Sequence, residues 1–245
     1  MSDKRLHLVV FGAHIGDAEI TAGHVICKYV RAGHKATIVH MTAGEKGHPT
    51  MPPEEYKKQK IEETYASAKL WGCDVKILPY PDGELPLNEE VKLVVADIIR
   101  EIKPDIVLTH WKGSFHKDHI NTHYAVVEGI FYAAVPGIKT KSNLPAHGIK
   151  QLFFTDNWED SLDFQPNYFL NLDEDSYNLW VEGIRKHALF RGEVASFPYF
   201  EYYTALTIVR GAKMRFKRAV AFMVPPFAYF RKMEFFPVDE VMEIY

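Results

Sequence analysis

A chain of 245 residues is long enough to bury one large core without disulfide or metal staples. Its 47% hydrophobic and 25% charged residues match an ordinary globular protein, and a formal charge of −3 at pH 7 gives no overall attraction to nucleic acid or anionic membrane. Two cysteines, Cys27 and Cys73, are too few for a disulfide framework or a cysteine-rich metal site, and read as small buried hydrophobes.

Met1 to Arg5 leads straight into an apolar strand with no signal-like segment. No apolar run approaches the roughly 20 residues of a membrane-spanning helix, so a cytoplasmic location is expected. Residues 6–11 form a continuous apolar run, which predicts a buried parallel strand ending at Gly12. Helical spacing of Ile20, Val25, Ile26, Tyr29 and Val30 predicts a helix over 17–33. A second strand is expected over 36–41, then a Gly/Pro-rich loop over 42–53. A charged amphipathic helix follows over 53–71, closed by Gly72. A third strand over 75–78 precedes the turn Pro79-Tyr80-Pro81-Asp82-Gly83. Asn88 is a suitable N-cap for a helix over 88–102, and a fourth strand covers 106–109. This alternation predicts an α/β, Rossmann-like, mostly parallel sheet with helices on both faces.

Beyond this point a helix is expected over 119–134, a strand over 151–155 and a helix over 176–190, whereas 204–224 is ambiguous. Lys213, Arg215, Lys217 and Arg218 read as a solvated helix face. From Pro225 the tail is aromatic and proline-rich, suited to packing on a second copy. No composition shift divides the chain, so residues 1–245 read as one domain and a homo-oligomer is compatible with the tail.

Ligands of such sheets bind beyond the carboxyl ends of the strands. Three polar segments fall there: 13–19, 42–48 and 110–119. The first holds Ala13-His14-Ile15-Gly16-Asp17-Ala18-Glu19, and the third runs from His110 to His119 with His123 one helical turn on. A catalytic zinc site needs three nitrogen or oxygen ligands and an open position, and His14, Asp17 and His119 supply such a set. The remaining histidines, such as His7, His24, His34 and His187, read as ordinary core or surface residues. Glu19 reads as an early-helix carboxylate facing the helix dipole. Trp111, Phe115 and Trp158 are candidates for stacking on a sugar ring, and Glu45, Lys46 and His48 for lining a pocket. There is neither a Gly-x-Gly-x-x-Gly after the first strand nor a Gly-x-Ser-x-Gly elbow, against dinucleotide binding and serine hydrolase chemistry.

Four segments in order resemble the LmbE-like, or PIG-L-like, N-acetylglucosaminyl deacetylases. Residues 13–19 resemble the family's Ala-His-Pro-Asp-Asp-x-Glu, and Thr42-Ala43-Gly44-Glu45-Lys46-Gly47 its Thr-x-Gly-Glu-x-Gly loop. Pro81-Asp82-Gly83 resembles its Pro-Asp-Gly-like turn, and His116-Lys117-Asp118-His119 its His-x-Asp-His. The resemblance covers residues 6–130. It implies a metal-dependent hydrolase: Zn2+, or another divalent metal, on His14, Asp17 and His119 attacks the acetamide of an N-acetylated amino sugar or glycoconjugate through its water. It implies that His116 stabilises the oxyanion or protonates the leaving amine, that Asp118 orients His116, and that Asp82 binds a sugar hydroxyl. One position departs: the family's general-base Asp is here Gly16. Three accounts stay open. The base is dispensed with at the expense of rate, another group such as Glu45, His116, Asp118 or Glu19 replaces it, or the chain is a metal-retaining binding module or a hydrolase of other substrates.

Overall fold

Leu8 and Val10 pack into one hydrophobic cluster and Val9 and Phe11 into another, so both faces of the first strand are covered, as an unbroken apolar run requires. The structure, a computed structural model, describes residues 5–224. Its strands are β1 (His7–Gly12), β2 (Lys35–Thr42), β3 (Asp74–Tyr80), β4 (Ile106–Thr109), β5 (Gln151–Thr155), β6 (Tyr168–Asn171) and β7 (Ala219–Met223). They form one sheet in the order β3-β2-β1-β4-β5-β7-β6. β1 to β5 pair in parallel, whereas β7 runs antiparallel to both β5 and β6.

The helices are α1 (Asp17–Arg31), α2 (Pro53–Trp71), α3 (Glu89–Ile102), α4 (Lys117–Ala134), α5 (Glu174–Ile184) and α6 (Tyr199–Lys213). α3 and α4 pack together on the Val9/Phe11 face, and α1 packs with α5 on the other. This is the expected α/β architecture with helices on both faces. The strand order reverses between β1 and β4, which places the ligand crevice at the carboxyl ends of those two strands. No helix of the described residues is long and apolar enough to cross a membrane.

Local chemistry sets most of the boundaries. The Asn88 side chain accepts the Val91 N–H (3.1 Å) and starts α3; Asp173 does the same for α5 with Ser176 (2.9 Å). α4 ends on a residue no local pattern reveals. The buried Arg100 guanidinium of α3 donates to the carbonyls of Tyr132, Ala133 and Val135, which have no partner further along the helix.

The structure differs from the periodicity in the last third. The helix expected over 176–190 ends at Ile184, and Ala188–Arg191 forms a separate 3₁₀ turn. Gly183 lies flat against Trp71, where any Cβ would come within 2.2 Å of the indole nitrogen. The chain then tightens through Lys186 N–H to Gly183 O (2.9 Å) and bends so that His187 Nε2 meets Ser67 Oγ of α2 (3.0 Å). The ambiguous stretch resolves into α6 and β7, and β6, which no pattern marks, is an edge strand held by β7. Of the basic cluster, Lys213, Arg215 and Lys217 are exposed, but Arg218 stacks over Tyr177 at 3.9 Å. Both cysteines are free; Cys27 is buried and Cys73 half-buried. The aromatic tail from Pro225 lies outside the described residues.

Three buried histidines are held neutral by burial. His24 is pushed down to about 3, and His123 and His187 to about 4. An unfolded chain takes up protons on these rings below about pH 6.5, whereas the folded chain does not until pH 4 or lower, so stability is full above that range and falls with pH. Between pH 7 and pH 5 His24 alone removes about 2 kcal/mol. Urea unfolding at the two pH values is expected to show a loss of stability that shrinks by about that amount in His24→Leu.

Candidate metal centre

The first wall of the site is the turn from β1 into α1. Asp17 N–H donates to His14 O (3.2 Å), and Asp17 Oδ2 accepts the His14 backbone N–H (2.8 Å) while lying 3.2 Å from His14 Nδ1. Glu19 braces this turn from beneath. Its Oε2 accepts the Gly16 N–H (2.9 Å), and its Oε1 accepts the Thr64 hydroxyl (2.6 Å) and lies 3.1 Å from His40 Nε2. Burial alone would raise the Glu19 carboxyl, but His40 and Thr64 outweigh it and hold the group at about 2. Glu19 is therefore a supporting carboxylate at a helix start.

The second wall follows β4. His110 Nε2 accepts the Ala13 N–H (3.0 Å), which ties the two loops together. Asp160, fully buried in the 3₁₀ turn Trp158–Asp160, takes His110 Nδ1 on one oxygen (2.7 Å) and His119 Nδ1 on the other (2.8 Å). Despite burial, the two imidazoles hold its carboxyl at about 2. With Nδ1 donating to Asp160, His119 Nε2 is left as an acceptor, 3.4 Å from Asp17 Oδ2.

The third wall is stitched from loop to loop. The Asp118 carboxylate accepts the N–H groups of Gly83 (2.7 Å) and Leu85 (3.2 Å). Asp82 Oδ2 accepts the Lys46 N–H (2.8 Å), and Glu45 Oε1 accepts the Asp82 N–H (3.0 Å). His14 Nε2 faces Asp82 Oδ1 at 3.2 Å and Asp118 Oδ2 at 3.4 Å, but is buried with no aligned hydrogen bond. Burial lowers the His14 pKa; Asp118, Asp17 and Asp82 outweigh it and raise it well above the usual imidazole range. His116 is half-buried beside His14, with ring centroids 4.6 Å apart, and its Nδ1 accepts the Asp118 backbone N–H (3.1 Å). The Asp118 carboxylate itself accepts from Gly83 and Leu85.

These walls enclose a cavity of ≈ 190 Å³. His14, Asp17, Asp82, His116 and His119 line it, together with Lys60, Glu159 and the rings of Trp158, Phe190 and Tyr199. Glu45 and Trp111 do not line it. Glu45 is buried under Asp82, and the Trp111 indole donates to Leu162 O (2.8 Å) while packing on Phe154. Phe115 is exposed, edge-on to Trp158. Sequence reasoning did not single out Asp160, Glu159 or Lys60. The signal for the first two is their place directly after β5, at the carboxyl edge of the sheet.

The donors fit a divalent cation. Asp17 Oδ2 and the lone pair of His119 Nε2 face each other without a proton between them, and His14 completes a set whose ligand atoms lie within 4.8 Å of one another. Two imidazoles and a carboxylate are a donor set for zinc that leaves room for a further ligand. A cation here would displace the proton held by His14. Two neighbouring groups, His14–His116–Asp118 and His110–His119–Asp160, also converge: the first shares His14 with this set, and the carboxylate of the second is already taken by imidazole protons.

Gly16 is not a vacant place for a carboxylate. Its φ is +116°, and a Cβ there would lie 3.1 Å from Cζ of Phe190. The backbone conformation favours glycine, and the Phe190 ring fills the space.

A parallel α/β sheet with imidazole and carboxylate donors gathered at its switch point defines the class. Residues 9–130 match the family described as PIG-L, GlcNAc-PI de-N-acetylase, and the chain belongs to this family, with its LmbE-like deacetylases. The 4-oxalmesaconate hydratase of Pseudomonas putida is 22% identical over 224 residues, covering 88% of this chain and 83% of the relative. The diacetylchitobiose deacetylase of Thermococcus kodakarensis is 25% identical, covering 77% and 78%. The solved N,N'-diacetylchitobiose deacetylase of Pyrococcus horikoshii shares the fold with a TM-score of 0.78 at 21% identity, covering 94% of this chain and 87% of that one.

Gly16→Asp is expected to lower stability by about 1–3 kcal/mol, measured by thermal or denaturant unfolding, because the new side chain meets both an unfavourable φ and the Phe190 ring. Adding Phe190→Ala removes the steric part only, so the double variant recovers part of the loss relative to the sum of the single changes.

Proposed function

We propose that this chain is a divalent-metal-dependent hydrolase that removes acetate from an N-acetylated amino sugar or glycoconjugate. The observation that carries the reading is the meeting of the His14, Asp17 and His119 donor atoms at the wall of a cavity, where Asp17 Oδ2 faces the Nε2 lone pair of His119. Zn2+ held by these three would polarise the acetamide carbonyl and activate water for attack on it. The deacetylase relatives support the same chemistry.

The chain's own residues supply the rest. Asp160 fixes His119 in the tautomer that presents Nε2 to the cation. Because His116 Nδ1 accepts a backbone N–H, the proton of its neutral ring sits on Nε2, where it donates to the oxyanion or to the departing nitrogen. Asp118 holds the Gly83–Leu85 turn and places its charge beside His14. Asp82 offers Oδ1 at the cavity wall to a sugar hydroxyl, and Trp158 and Tyr199 offer ring faces to the sugar. Glu45 serves substrate binding through Asp82, whose N–H it accepts.

A second reading is addition of water to an unsaturated carboxylic acid. Lys60 favours it. The residue is only 6% exposed, lines the cavity, and among the described residues its ammonium makes one hydrogen bond, to Gly44 O (3.2 Å), leaving donors for a substrate carboxylate. A hydratase also stands among the relatives. Acetate release from N-acetylglucosamine conjugates, set beside loss of the conjugated-acid absorbance, separates the two reactions.

His119→Ala is expected to abolish stoichiometric zinc, measured by elemental analysis after gel filtration, and acetate release with it; full retention of zinc would refute the ligand assignment. Asp160→Asn keeps the ligands but loses the fixed tautomer, and is expected to weaken zinc binding by about 10–100-fold in a chelator competition.

A further inference from the structure

α6 buries one face and leaves the opposite one in solvent. Tyr203, Thr207 and Gly211, each four residues from the next, are buried, and a Cβ at Gly211 would lie 2.8 Å from Cα of Arg218, next to β7. On the other side Tyr202, Ala205, Val209 and Ala212 are exposed. A surface helix ordinarily carries charged or polar groups there. Here Ile208 is 51% and Val209 58% exposed, and Tyr202, Met214 and Phe216 extend the patch. Five of the twelve exposed large hydrophobic side chains among the described residues fall within residues 202–216, a clustering that marks an interaction surface.

The spacing of this face indicates its partner. Tyr202, Ala205, Val209 and Ala212 recur at intervals of three, four and three, the seam of two helices packed along their length. Consider two copies of α6 laid antiparallel about a two-fold axis at the level of Thr207. Both rise equally per residue, so position 202 stands level with 212 of the other copy and 205 with 209. Tyr202 then faces Ala212 and Val209 faces Ala205, a large side chain opposite a small one at each step. The charges agree as well. Exposed Glu201 lies at the start of the helix and exposed Lys213 at its end, so each acidic end lies beside a basic end. The helix dipoles also oppose favourably. A parallel pair would set Tyr202 on Tyr202, Ala212 on Ala212, and like charges together.

We propose that the outer face of α6 is a docking surface for a second copy of this chain, forming a two-fold symmetric, antiparallel helix pair. Such an interface uses the same patch on both subunits, which is why the patch must complement itself. It adjoins the cavity without using a metal donor. α6 begins at Tyr199, which lines the cavity, and the Tyr202 ring lies 5.5 Å from that of Phe197, which stacks on Trp158 at 4.2 Å. Dimerisation therefore covers the outer side of the aromatic cluster that borders each cavity.

Sedimentation velocity of the full chain over a range of concentrations tests the surface. Wild type is expected to dimerise, and Val209→Glu to raise the dimer Kd about 30-fold or more, as loss of a central interface side chain does. Its far-UV circular dichroism stays that of wild type. Phe131→Glu, which changes an exposed ring on α4, leaves the dimer intact. Cross-linking tests the arrangement. Ala205→Cys and Val209→Cys proteins, mixed and mildly oxidised, are expected to form a disulfide with each other. Neither forms one with its own copy, because like positions stand about 6 Å apart along the axis. Monomers at every concentration overturn the proposal, as does a dimer that Val209→Glu leaves intact. A chain that dimerises only after residues 225–245 are removed assigns the face to its own tail, and overturns it too. Self-linking of either cysteine variant, or no linking in the mixture, overturns the antiparallel pairing.

Discussion

One buried carboxylate holds the site together. Asp160 divides its two oxygens between His110 and His119, and His110 in turn accepts the Ala13 N–H. Three segments distant in sequence, the ends of β1, β4 and β5, are thereby locked in mutual register. Such a group is costly to bury unless its partners are in place, and here both oxygens are matched by imidazole protons. The same two bonds decide which nitrogen of His119 faces the cavity. Fold and chemistry therefore share one interaction.

Much of the architecture was legible in the chain. The residue bounds expected for α2, β4 and β5 agree with those observed, because each is flagged by local chemistry: Pro53 and Gly72 around α2, unbroken β-branched and apolar runs for the strands. The site was legible where its residues crowd together in sequence, as in 13–19 and 110–119. The rest was not, because tertiary contacts decide it. α5 stops early since Trp71 occupies the space beside Gly183. β6 exists since β7 offers it an edge. Asn157-Trp158-Glu159-Asp160 has no metal-ligand spacing, and its importance appears only when β5 lies beside β4.

Gly16 illustrates how a turn without a side chain is braced. The turn that carries His14 and Asp17 keeps its shape because Glu19 accepts the Gly16 N–H, whatever stands at position 16. The backbone there has a φ of +116°, and the ring of Phe190, from the turn after α5, lies against it. The cavity wall has an aromatic surface at this point. Carboxylates of the site then come from Asp17, Asp82 and the β5 turn, all reached from other directions.

The tie between Asp118 and the Gly83–Leu85 turn has a consequence for how this scaffold can change. That turn leaves an edge strand, where drift is ordinarily tolerated, yet it is fastened to the first turn of α4, one residue before His119. The rim that would meet a substrate and the imidazole that faces the cation are thus carried on a single lever. Altered recognition through this turn shifts ligand geometry too, and Trp158 is bound in the same way because it shares its 3₁₀ turn with Asp160, so new specificities are easier to reach from Tyr199 on α6, which neither tie includes.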